Sequence, residues 1–449
     1  MTRAEKESTR IGVISLGCSK NRVDTEVMLG ILRDEGYAFT LNIADADVVL
    51  INTCTFIADA REEALGAILE AGQQKRYGNV KAIVVTGCLP ERYRDKLRRM
   101  APEVDVIVGA AGYKKISKAL EDALEKKRTE YFPNLDLTER FDKRLITTKL
   151  PTAYVKIAEG CDNGCTYCIV PQVRGKFQSR PMESIEAEVR SLTAAGYREI
   201  VLVAQDTTKY GVDIYGKPVL PVLLTRLSAV PGVKWLRLLY AYPEGITDTL
   251  LDVMCRNKNI VKYLDMPIQH MSDTVLKRMR RQTTQENILK TVERIRAADP
   301  GFILRSTVIV GFPGETRDEF SELLKGLRTA QFDRLGVFPY SREEGTVAAR
   351  MPGQISDDVK ESRFDTVMND QAPISYVRNR KRIGREYDVL LEGYDPQGRV
   401  FYGRTYAEAP EVDGLIFIRH DELLELGRFY KARILQALNY DCRATIVEH

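Results

Sequence analysis

The chain has 449 residues, of which 44% are hydrophobic and 29% are charged, with a formal net charge of +4. This length allows two to four domains with complete cores, and so slight a charge does not indicate a nucleic-acid partner. The longest apolar runs are far shorter than a membrane-spanning helix, and the polar N-terminus lacks the apolar core of an export signal. We therefore expect a cytoplasmic protein with no membrane partner, whose cysteines serve as metal-binding thiols rather than disulfides.

Residues 1–147 are predicted to form a parallel α/β sheet domain, because short apolar runs alternate there with helix-like segments. Three runs lead into a cysteine: residues 11–17 into Cys18, 47–53 into Cys54 and 81–87 into Cys88. Neighbouring strands lie about 4.8 Å apart, and ligands bind at their carboxyl ends. These thiols are predicted to hold one cluster, with three unrelated buried cysteines as the alternative. Glycine before Cys18 and Cys88 permits a close backbone approach.

A second set of cysteines opens the predicted middle domain, residues 148–378. Cys161, Cys165 and Cys168 are spaced Cys-x-x-x-Cys-x-x-Cys after a strand-like run. Three thiolates hold three irons of a 4Fe–4S cluster and leave the fourth open to a reacting molecule. With Tyr167 before the last cysteine, the motif resembles the radical S-adenosylmethionine (SAM) enzymes. In that family the open iron holds SAM and delivers one electron to its sulfonium.

A zinc site is the alternative for these cysteines, because Cys pairs two to four residues apart are also zinc spacing. A closed zinc site needs a fourth ligand, and Cys255 and His270 are the only later candidates before the C-terminal tail. Neither has a paired partner, which favours the iron–sulfur cluster. We interpret Cys255 and Cys442 as structural, and a structural role for His270 is an equal alternative to a catalytic one.

The segments around all six cysteines resemble the methylthiotransferases, radical SAM enzymes that add sulfur and a methyl group to an unactivated C–H bond. The resemblance covers nearly the whole chain and is carried by residues 17–26, 52–57, 87–89, 159–161, 174–175 and 179–181. It implies two 4Fe–4S clusters, SAM and an electron donor. The cluster of Cys18, Cys54 and Cys88 is then expected to carry the sulfur, and the other cluster to cleave SAM.

Six strand-like runs with helices between them predict a (βα) barrel related to the TIM barrel, which the resemblance also implies. The runs are residues 153–159, 199–205, 234–241, 261–268, 302–310 and 334–339. Active sites in such barrels lie at the carboxyl ends of the strands. The candidate SAM-binding residues there are Tyr167, Gln205, Gln269, Arg305, Gly311, Gly314 and Glu315.

Two of these candidates have alternative interpretations. The segment from Gly311 to Glu315 is expected to approach the SAM adenosine, since glycine permits close contact, but a plain strand-to-helix turn has the same residues. Arg305 is expected to pair with the SAM carboxylate or with a core acid. The basic run at residues 277–281 is interpreted as a solvated helix face, with RNA contact as the alternative.

Residues 379–449 contain five short strand-like runs, which predict a small antiparallel β-barrel of OB-like architecture. By resemblance this is a TRAM domain, usually taken to bind RNA. Residues 381–449 contain ten Lys and Arg against twelve Asp and Glu, a net charge of −2. Nucleic-acid binding requires basic side chains, so this module suits a basic protein partner better.

Two branches of the resembled family differ in substrate. One methylthiolates an adenosine beside the tRNA anticodon, and the other methylthiolates the β-carbon of an aspartate in the twelfth small-subunit ribosomal protein. Residues 17–24, 204–207, 210–213 and 338–346 resemble the ribosomal branch, and the acidic last module also favours a basic protein. We expect the ribosomal protein, free or in the assembled subunit, as substrate. The alternatives are the tRNA enzyme and a non-catalytic iron–sulfur protein that binds RNA or the ribosome.

Overall fold

The computed structural model describes residues 1–134 and 143–447. The first domain is a six-stranded, fully parallel sheet in the order β2-β1-β3-β4-β5-β6. Its strands are β1 (Arg10–Ser15), β2 (Ala38–Thr40), β3 (Val48–Thr53), β4 (Ala82–Gly87), β5 (Val106–Gly109) and β6 (Glu130–Tyr131). Its helices are α1 (Arg3–Ser8), α2 (Ser19–Asp34), α3 (Ala58–Tyr77), α4 (Cys88–Tyr93), α5 (Asp95–Met100) and α6 (Ile116–Leu124). The parallel α/β sheet predicted for this part of the chain is confirmed.

Hydrophobic side chains cover both faces of this sheet. The central strands β3 and β4 are buried along their whole length, which explains their nearly continuous apolar sequences. One core cluster forms on each face: Val48, Leu50 and Val84 point to one side, and Val49 and Ile83 to the other. This alternation fixes the register of the strands, because a shift by one residue would exchange the two faces.

The middle domain contains an open six-stranded parallel sheet in the order β14-β13-β12-β11-β10-β7, with a two-stranded β8–β9 pair beside it. The strands are β7 (Thr152–Lys156), β8 (Ala158–Glu159), β9 (Gln178–Ser179), β10 (Glu199–Val203), β11 (Trp235–Leu238), β12 (Ile260–Asp265), β13 (Ile303–Val310) and β14 (Arg334–Pro339). The helices are α7 (Val170–Arg174), α8 (Met182–Ala194), α9 (Val212–Tyr215), α10 (Leu220–Ser228), α11 (Asp248–Arg256), α12 (Asp273–Arg278), α13 (Gln285–Ala298), α14 (Arg317–Ala330) and α15 (Asp357–Arg380). The six predicted strands are present, in the open form of the barrel.

The last domain is a closed barrel of five strands in the order β15-β16-β17-β19-β18. The strands are β15 (Glu386–Asp395), β16 (Val400–Arg404), β17 (Ile416–Ile418), β18 (Phe429–Ala437) and β19 (Cys442–Ile446). Four strand pairs are antiparallel, and β17 runs parallel to β19. The predicted small β-barrel is therefore confirmed, with one parallel pair closing it. Within the described part of the chain, no helix is both long enough and apolar enough to cross a lipid bilayer.

The three domains share one apolar core where they meet. Val23 of α2, Tyr154 of β7, Trp235 of β11 and Leu390 of β15 belong to a single buried cluster. The ring of Trp235 meets that of Phe429 edge to face, with centroids 4.8 Å apart. Shared burial of this kind resists separation of the domains, because separation would expose the whole cluster to water.

Buried ion pairs also fix the last domain onto the middle one. Glu199 of β10 contacts Arg404 of β16 at 2.7 Å and Arg237 at 2.9 Å. Glu408 contacts Arg382 at 2.5 Å and Arg334 at 3.2 Å. Burial alone would raise the pKa of both carboxyls, but the paired guanidinium groups lower each pKa to about 2.

These pairs predict acid-sensitive attachment of the last domain. An unpaired glutamate has a pKa of 4.5, so stability from Glu199 and Glu408 is complete above that value and is lost as the pH falls towards 2. Each pair contributes at most on the order of 3 kcal/mol to this loss. Thermal melting measured from pH 7 to pH 3 should show a falling midpoint below about pH 5. The Glu199→Gln, Glu408→Gln double variant should melt lower at pH 7 and depend less on pH; an unchanged pH profile would contradict the assignment.

Candidate active site

A single cavity of about 510 Å³ lies where the three domains meet. Its lining includes both predicted cysteine sets: Cys18, Cys54, Cys88, Cys161, Cys165 and Cys168. The first three come from the first domain and the others from the middle domain. The two sets are more than seventy residues apart in the sequence. They meet in this cavity because the first and middle domains pack against each other.

The first set follows three neighbouring strands, as predicted. Strands β1, β3 and β4 are adjacent in the sheet. Cys18 caps the start of α2 after β1, Cys54 directly follows β3, and Cys88 directly follows β4. The three thiols therefore stand side by side at the carboxyl edge of the sheet, where ligands of such folds bind.

Two glycines make room for this arrangement. Gly17 has a φ of +89°, and a Cβ added there would lie 2.6 Å from Cys54 Cβ. Gly87 has a φ of +97°, and its added Cβ would lie 2.3 Å from Asn52 Oδ1. Both positions need the left-handed backbone and the missing side chain of glycine. The absence of a side chain at Gly17 therefore lets Cys54 pack directly against the loop that precedes Cys18.

The second set lies on a loop after β8 that is tied down at several points. The Thr166 backbone N–H donates to the Met279 carbonyl at 3.1 Å, and its hydroxyl donates to the Arg278 carbonyl at 2.9 Å. Asn163 Nδ2 donates to Asp206 Oδ2 at 2.9 Å, which joins the loop to the end of β10. The loop is therefore held in position by contacts outside the three cysteines.

Burial raises the pKa of several of the six thiols. The pKa of Cys88 and that of Cys168 each rise to about 12, chiefly because burial disfavours the thiolate. Such thiols are neutral without metal and lose their protons when a metal binds. Arg174 Nε donates to Cys88 Sγ at 3.3 Å, a contact that favours negative charge on this sulfur.

Arg174 belongs to a buried ion network between the first and middle domains. Its Nη1 lies 2.6 Å from Asp24 and 3.2 Å from Glu159. Lys156 pairs with the same two carboxylates, at 2.7 Å from Glu159, and Arg174 also donates to Asn21. Burial alone would raise the pKa of Glu159, but Lys156 and Arg174 lower it to about 2. The network joins α2 to β7, β8 and α7, and so sets the position of one cysteine set relative to the other.

Four of the predicted SAM-binding residues line the cavity: Tyr167, Gln205, Gln269 and Arg305. Arg305 pairs with Asp265 at 2.9 Å and lies 3.6 Å from Asp413. Of the two partners expected for Arg305, the structure therefore shows the core acid. Gln269 adopts a φ of 72°, rare for a residue with a side chain, and its backbone bonds to Thr307 and Ile309 of β13.

The other three candidates lie outside the cavity lining. Gly311 and Gly314 follow β13 with positive φ angles of 70° and 76°, as glycines of a strand-to-helix turn. Glu315 is buried, accepts from the Phe312 N–H at 3.1 Å and pairs with Arg363 at 2.7 Å. Its carboxylate is thus used within the protein. The turn interpretation of this segment matches the described geometry.

The remaining residues singled out in the sequence are packed against, or bonded to, other parts of the protein. His270 is fully buried and accepts from the Ser272 N–H at 2.9 Å. Cys255 packs against the core of the middle domain, and Cys442 is buried in the core of the small barrel. In the basic run, Arg278 pairs with Glu319 and Arg281 stacks on Tyr242 at 4.1 Å. Part of that run is therefore packed rather than solvated.

Three residues at the site have no role that was predicted from the sequence. Arg174 contacts Cys88, and Lys20 and Tyr240 line the cavity. Lys20 is only 4% exposed, and its Nζ stands 3.6 Å from the centroid of the Tyr240 ring. Burial alone would lower the pKa of Lys20, but its neighbours, Tyr240 and Cys18 first, raise it above its ordinary value. For Lys20, the signal available in the sequence was its position two residues after the predicted metal ligand Cys18.

The donor type of the six thiols fits 4Fe–4S clusters. Among the described residues, no group of three His, Cys, Asp or Glu side chains is arranged to hold one metal ion. Ligands of a 4Fe–4S cluster bind separate irons, so the relevant requirement is three thiols facing one space. All six cysteines line the one cavity, as this requirement demands.

Comparison with known families supports a class for each domain. The uncharacterized protein family UPF0004 matches residues 10–109, the radical SAM superfamily matches 155–327, and the TRAM domain matches 383–447. Among solved structures, the radical SAM methyltransferase TsrM from Kitasatospora setae, with tryptophan and a SAM analogue bound, covers 82% of this chain and 89% of its own. Its TM-score is 0.59 at 14% identity, a likeness of fold alone. Fold and cysteine cavity together define a radical SAM protein with a TRAM domain.

Curated relatives narrow this class to one family. The chain is 46% identical to the ribosomal protein uS12 methylthiotransferase RimO of Desulforamulus reducens, over 98% of this chain and 99% of the relative. It is 45% identical to the RimO protein of Geobacter sulfurreducens, over 98% of each chain. The RimO protein of Clostridium botulinum is 44% identical over 96% of this chain and 97% of its own. The chain belongs to the RimO family of methylthiotransferases.

Proposed function

We propose that the protein is a radical SAM methylthiotransferase that adds a methylthio group to the β-carbon of an aspartate in ribosomal protein uS12. The observation that carries the proposal is that six cysteines, in two sets from two domains, line one cavity. Relatives that match nearly the full chain bear the corresponding name. We further propose that each set of three cysteines holds one 4Fe–4S cluster, so that two clusters face each other.

The chain's own residues supply binding, orientation and shelter for this chemistry. When bound, SAM and the clusters supply the radical that removes hydrogen and the sulfur that takes its place. The Arg174 network holds the two cysteine sets in fixed relation, which brings the reacting groups together. Tyr167, Gln205 and Gln269 are the proposed SAM contacts, since they line the cavity from the strand ends of the middle domain. For Gly311, Gly314 and Glu315 we propose a less direct role, as a turn that lies near the adenosine of bound SAM.

The mouth of the cavity favours a polypeptide substrate. Phe56 of the first domain, Phe338 of the middle domain and Val412 of the last domain line the cavity and are 50%, 47% and 55% exposed. Apolar side chains exposed around a cavity mark an interaction site. A protruding loop of a protein can cover all three side chains and so exclude water from the cavity. The net negative charge of the TRAM domain suits the basic surface of a ribosomal protein.

The remaining parts of the proposal follow from this substrate. An enzyme that modifies a ribosomal protein is placed in the cytoplasm, and it acts on uS12 alone or within the assembled subunit. Reductive cleavage of SAM requires a one-electron donor as a further partner. The second candidate function, modification of a tRNA adenosine, is favoured by the TRAM match, because this domain is usually associated with RNA.

The test uses enzyme reconstituted without oxygen and supplied with SAM, sulfide and a strong reductant. Purified uS12 and unmodified tRNA are offered separately, and mass spectrometry detects any added methylthio group. We expect label on a single aspartate of uS12 and none on tRNA. Label on an adenosine would move the protein to the tRNA branch, and label on neither, with no 5′-deoxyadenosine formed, would favour a non-catalytic iron–sulfur protein.

A further inference from the structure

Lys20 is a buried cation that faces the cavity without a carboxylate partner. It lies in the first turn of α2, two residues beyond Cys18, and is only 4% exposed. Among the described residues, none of the carboxylates forms an ion pair with it. In that part of the chain its Nζ stands 3.6 Å from the centroid of the Tyr240 ring, and Tyr240, Cys18 and Glu159 all favour its positive charge.

The other cations that line the cavity are already neutralised. Arg174 contacts both Asp24 and Glu159 within 3.2 Å. Arg305 contacts Asp265 at 2.9 Å and Asp413 at 3.6 Å. Within the described lining, Lys20 is therefore the cation whose charge is available to an anionic ligand.

A buried ammonium without an anion is unfavourable, and the structure compensates for it only in part. Burying a charge is costly unless it is paired, and a contact with an aromatic ring recovers only part of that cost. A ligand carboxylate that enters the cavity would complete this pairing and would gain a charge-assisted hydrogen bond. The unpaired positive charge of Lys20 therefore favours a ligand carboxylate over an amide or a nucleic-acid base.

Tyr240 is fixed in the position that supports Lys20. It adopts a φ of 59°, in the left-handed region that residues with a side chain rarely occupy. Its N–H donates to Asp265 Oδ2 at 3.2 Å, and its carbonyl accepts from the Thr207 N–H at 3.1 Å and the Thr207 hydroxyl at 3.0 Å. Such backbone strain persists where surrounding contacts enforce it, and it is concentrated at functional sites.

We propose that Lys20 binds the side-chain carboxylate of the residue that is modified, and so selects aspartate over its amide. The proposal rests on the proposed function, which makes an aspartate the substrate. In aspartate the carboxylate is bonded directly to the β-carbon. Holding the carboxylate at Lys20 therefore fixes the β-carbon between the two cysteine sets, whose residues Cys18 and Cys168 line the same cavity.

The first test uses the unaltered enzyme and two forms of uS12, one natural and one with asparagine in place of the modified aspartate. The asparagine form is measured both as a substrate and as an inhibitor of aspartate labelling. We expect labelling to fall at least about 100-fold and inhibition to require about 10-fold more protein, because a buried cation loses its anionic partner. Equal labelling or equal binding of the two forms would overturn the proposal.

The second test changes the lysine. Lys20→Met keeps the length of the side chain and removes its charge, and should lose aspartate labelling by at least about 100-fold at low uS12 concentration. It should also bind the aspartate and asparagine forms equally. Lys20→Arg should retain a preference for aspartate, and Lys217→Met, on an exposed loop, serves as the matched control.

The outcomes separate this proposal from the function on which it rests. If the unaltered enzyme labels no aspartate, the proposed function is wrong whatever Lys20 does. If it labels aspartate and Lys20→Met keeps the same preference, only the role of Lys20 is wrong. If Lys20→Met loses iron, or no longer forms 5′-deoxyadenosine in the absence of uS12, Lys20 serves a cluster or SAM and the proposal is also wrong.

Discussion

Replacing Cys18, Cys54 and Cys88 together by alanine should abolish methylthio transfer while 5′-deoxyadenosine is still formed from SAM. The reason is spatial: these thiols follow three neighbouring strands of the first domain, whereas the set that we propose to cleave SAM lies on a separate loop of the middle domain. Iron content should fall to about half if, as proposed, each set holds one four-iron cluster. The measurements are iron analysis, chromatography of 5′-deoxyadenosine and mass spectrometry of uS12.

The matched control for this prediction is Cys255→Ala, which removes a thiol outside the cavity lining. It should leave iron content and both products unchanged. Replacing Cys161, Cys165 and Cys168 by alanine should instead remove 5′-deoxyadenosine and methylthio product together. Methylthio transfer that survives loss of the first set would show that this division of labour is wrong.

The second large effect is expected at the contact between the first and middle domains. Arg174→Met removes the guanidinium that pairs with Asp24 and Glu159 and leaves these two carboxylates with Lys156 alone. Breaking a buried ion pair by removing one partner costs about 3–5 kcal/mol. We expect the thermal midpoint to fall by on the order of 10 °C, with faster proteolysis between the two domains.

Two further variants, Arg190→Met and Arg174→Lys, test whether the effect is specific to the buried ion pairs of Arg174. Arg190→Met removes an arginine whose side chain is 56% exposed and which pairs with Glu186, so its effect should be below about 1 kcal/mol. Arg174→Lys keeps a positive charge near Asp24 and Glu159 but loses the donor to Cys88. It should melt close to the natural protein while shifting the absorption or the potential of the cluster proposed at Cys88. Equal melting of Arg174→Met and Arg190→Met would contradict the proposed role of the network.

The fold was largely predictable because each short apolar run in the sequence corresponds to one buried strand. The run at residues 334–339 became β14 (Arg334–Pro339), and the one at 302–310 became β13 (Ile303–Val310). Each cysteine of the first set could be placed because it directly followed such a run, and parallel strands end at a common edge. The meeting of both sets in one cavity could not be predicted from their spacing, because it depends on how the first and middle domains pack.

The finer contacts were not predictable, because they depend on how separate domains pack. Glu315 followed a strand end as a SAM contact should, yet its carboxylate turns to Arg363 of α15. Lys20 stood in the sequence as an ordinary polar residue of a helix start. Its burial against Tyr240 arises only when the first domain meets the middle one, more than two hundred residues away in the chain. Local patterns carry no information about such long-range contacts.

The TRAM domain forms part of the active-site wall, although its sequence is that of an independent module. Ala409 and Val412 line the cavity, and Asp413 accepts a hydrogen bond from Tyr263 at 2.6 Å and lies 3.6 Å from Arg305. Exchange of this domain between relatives would therefore exchange part of the cavity wall along with the outer surface of the domain. A chimaera that changes substrate preference would not reveal which of the two is responsible unless residues 409–413 were kept constant.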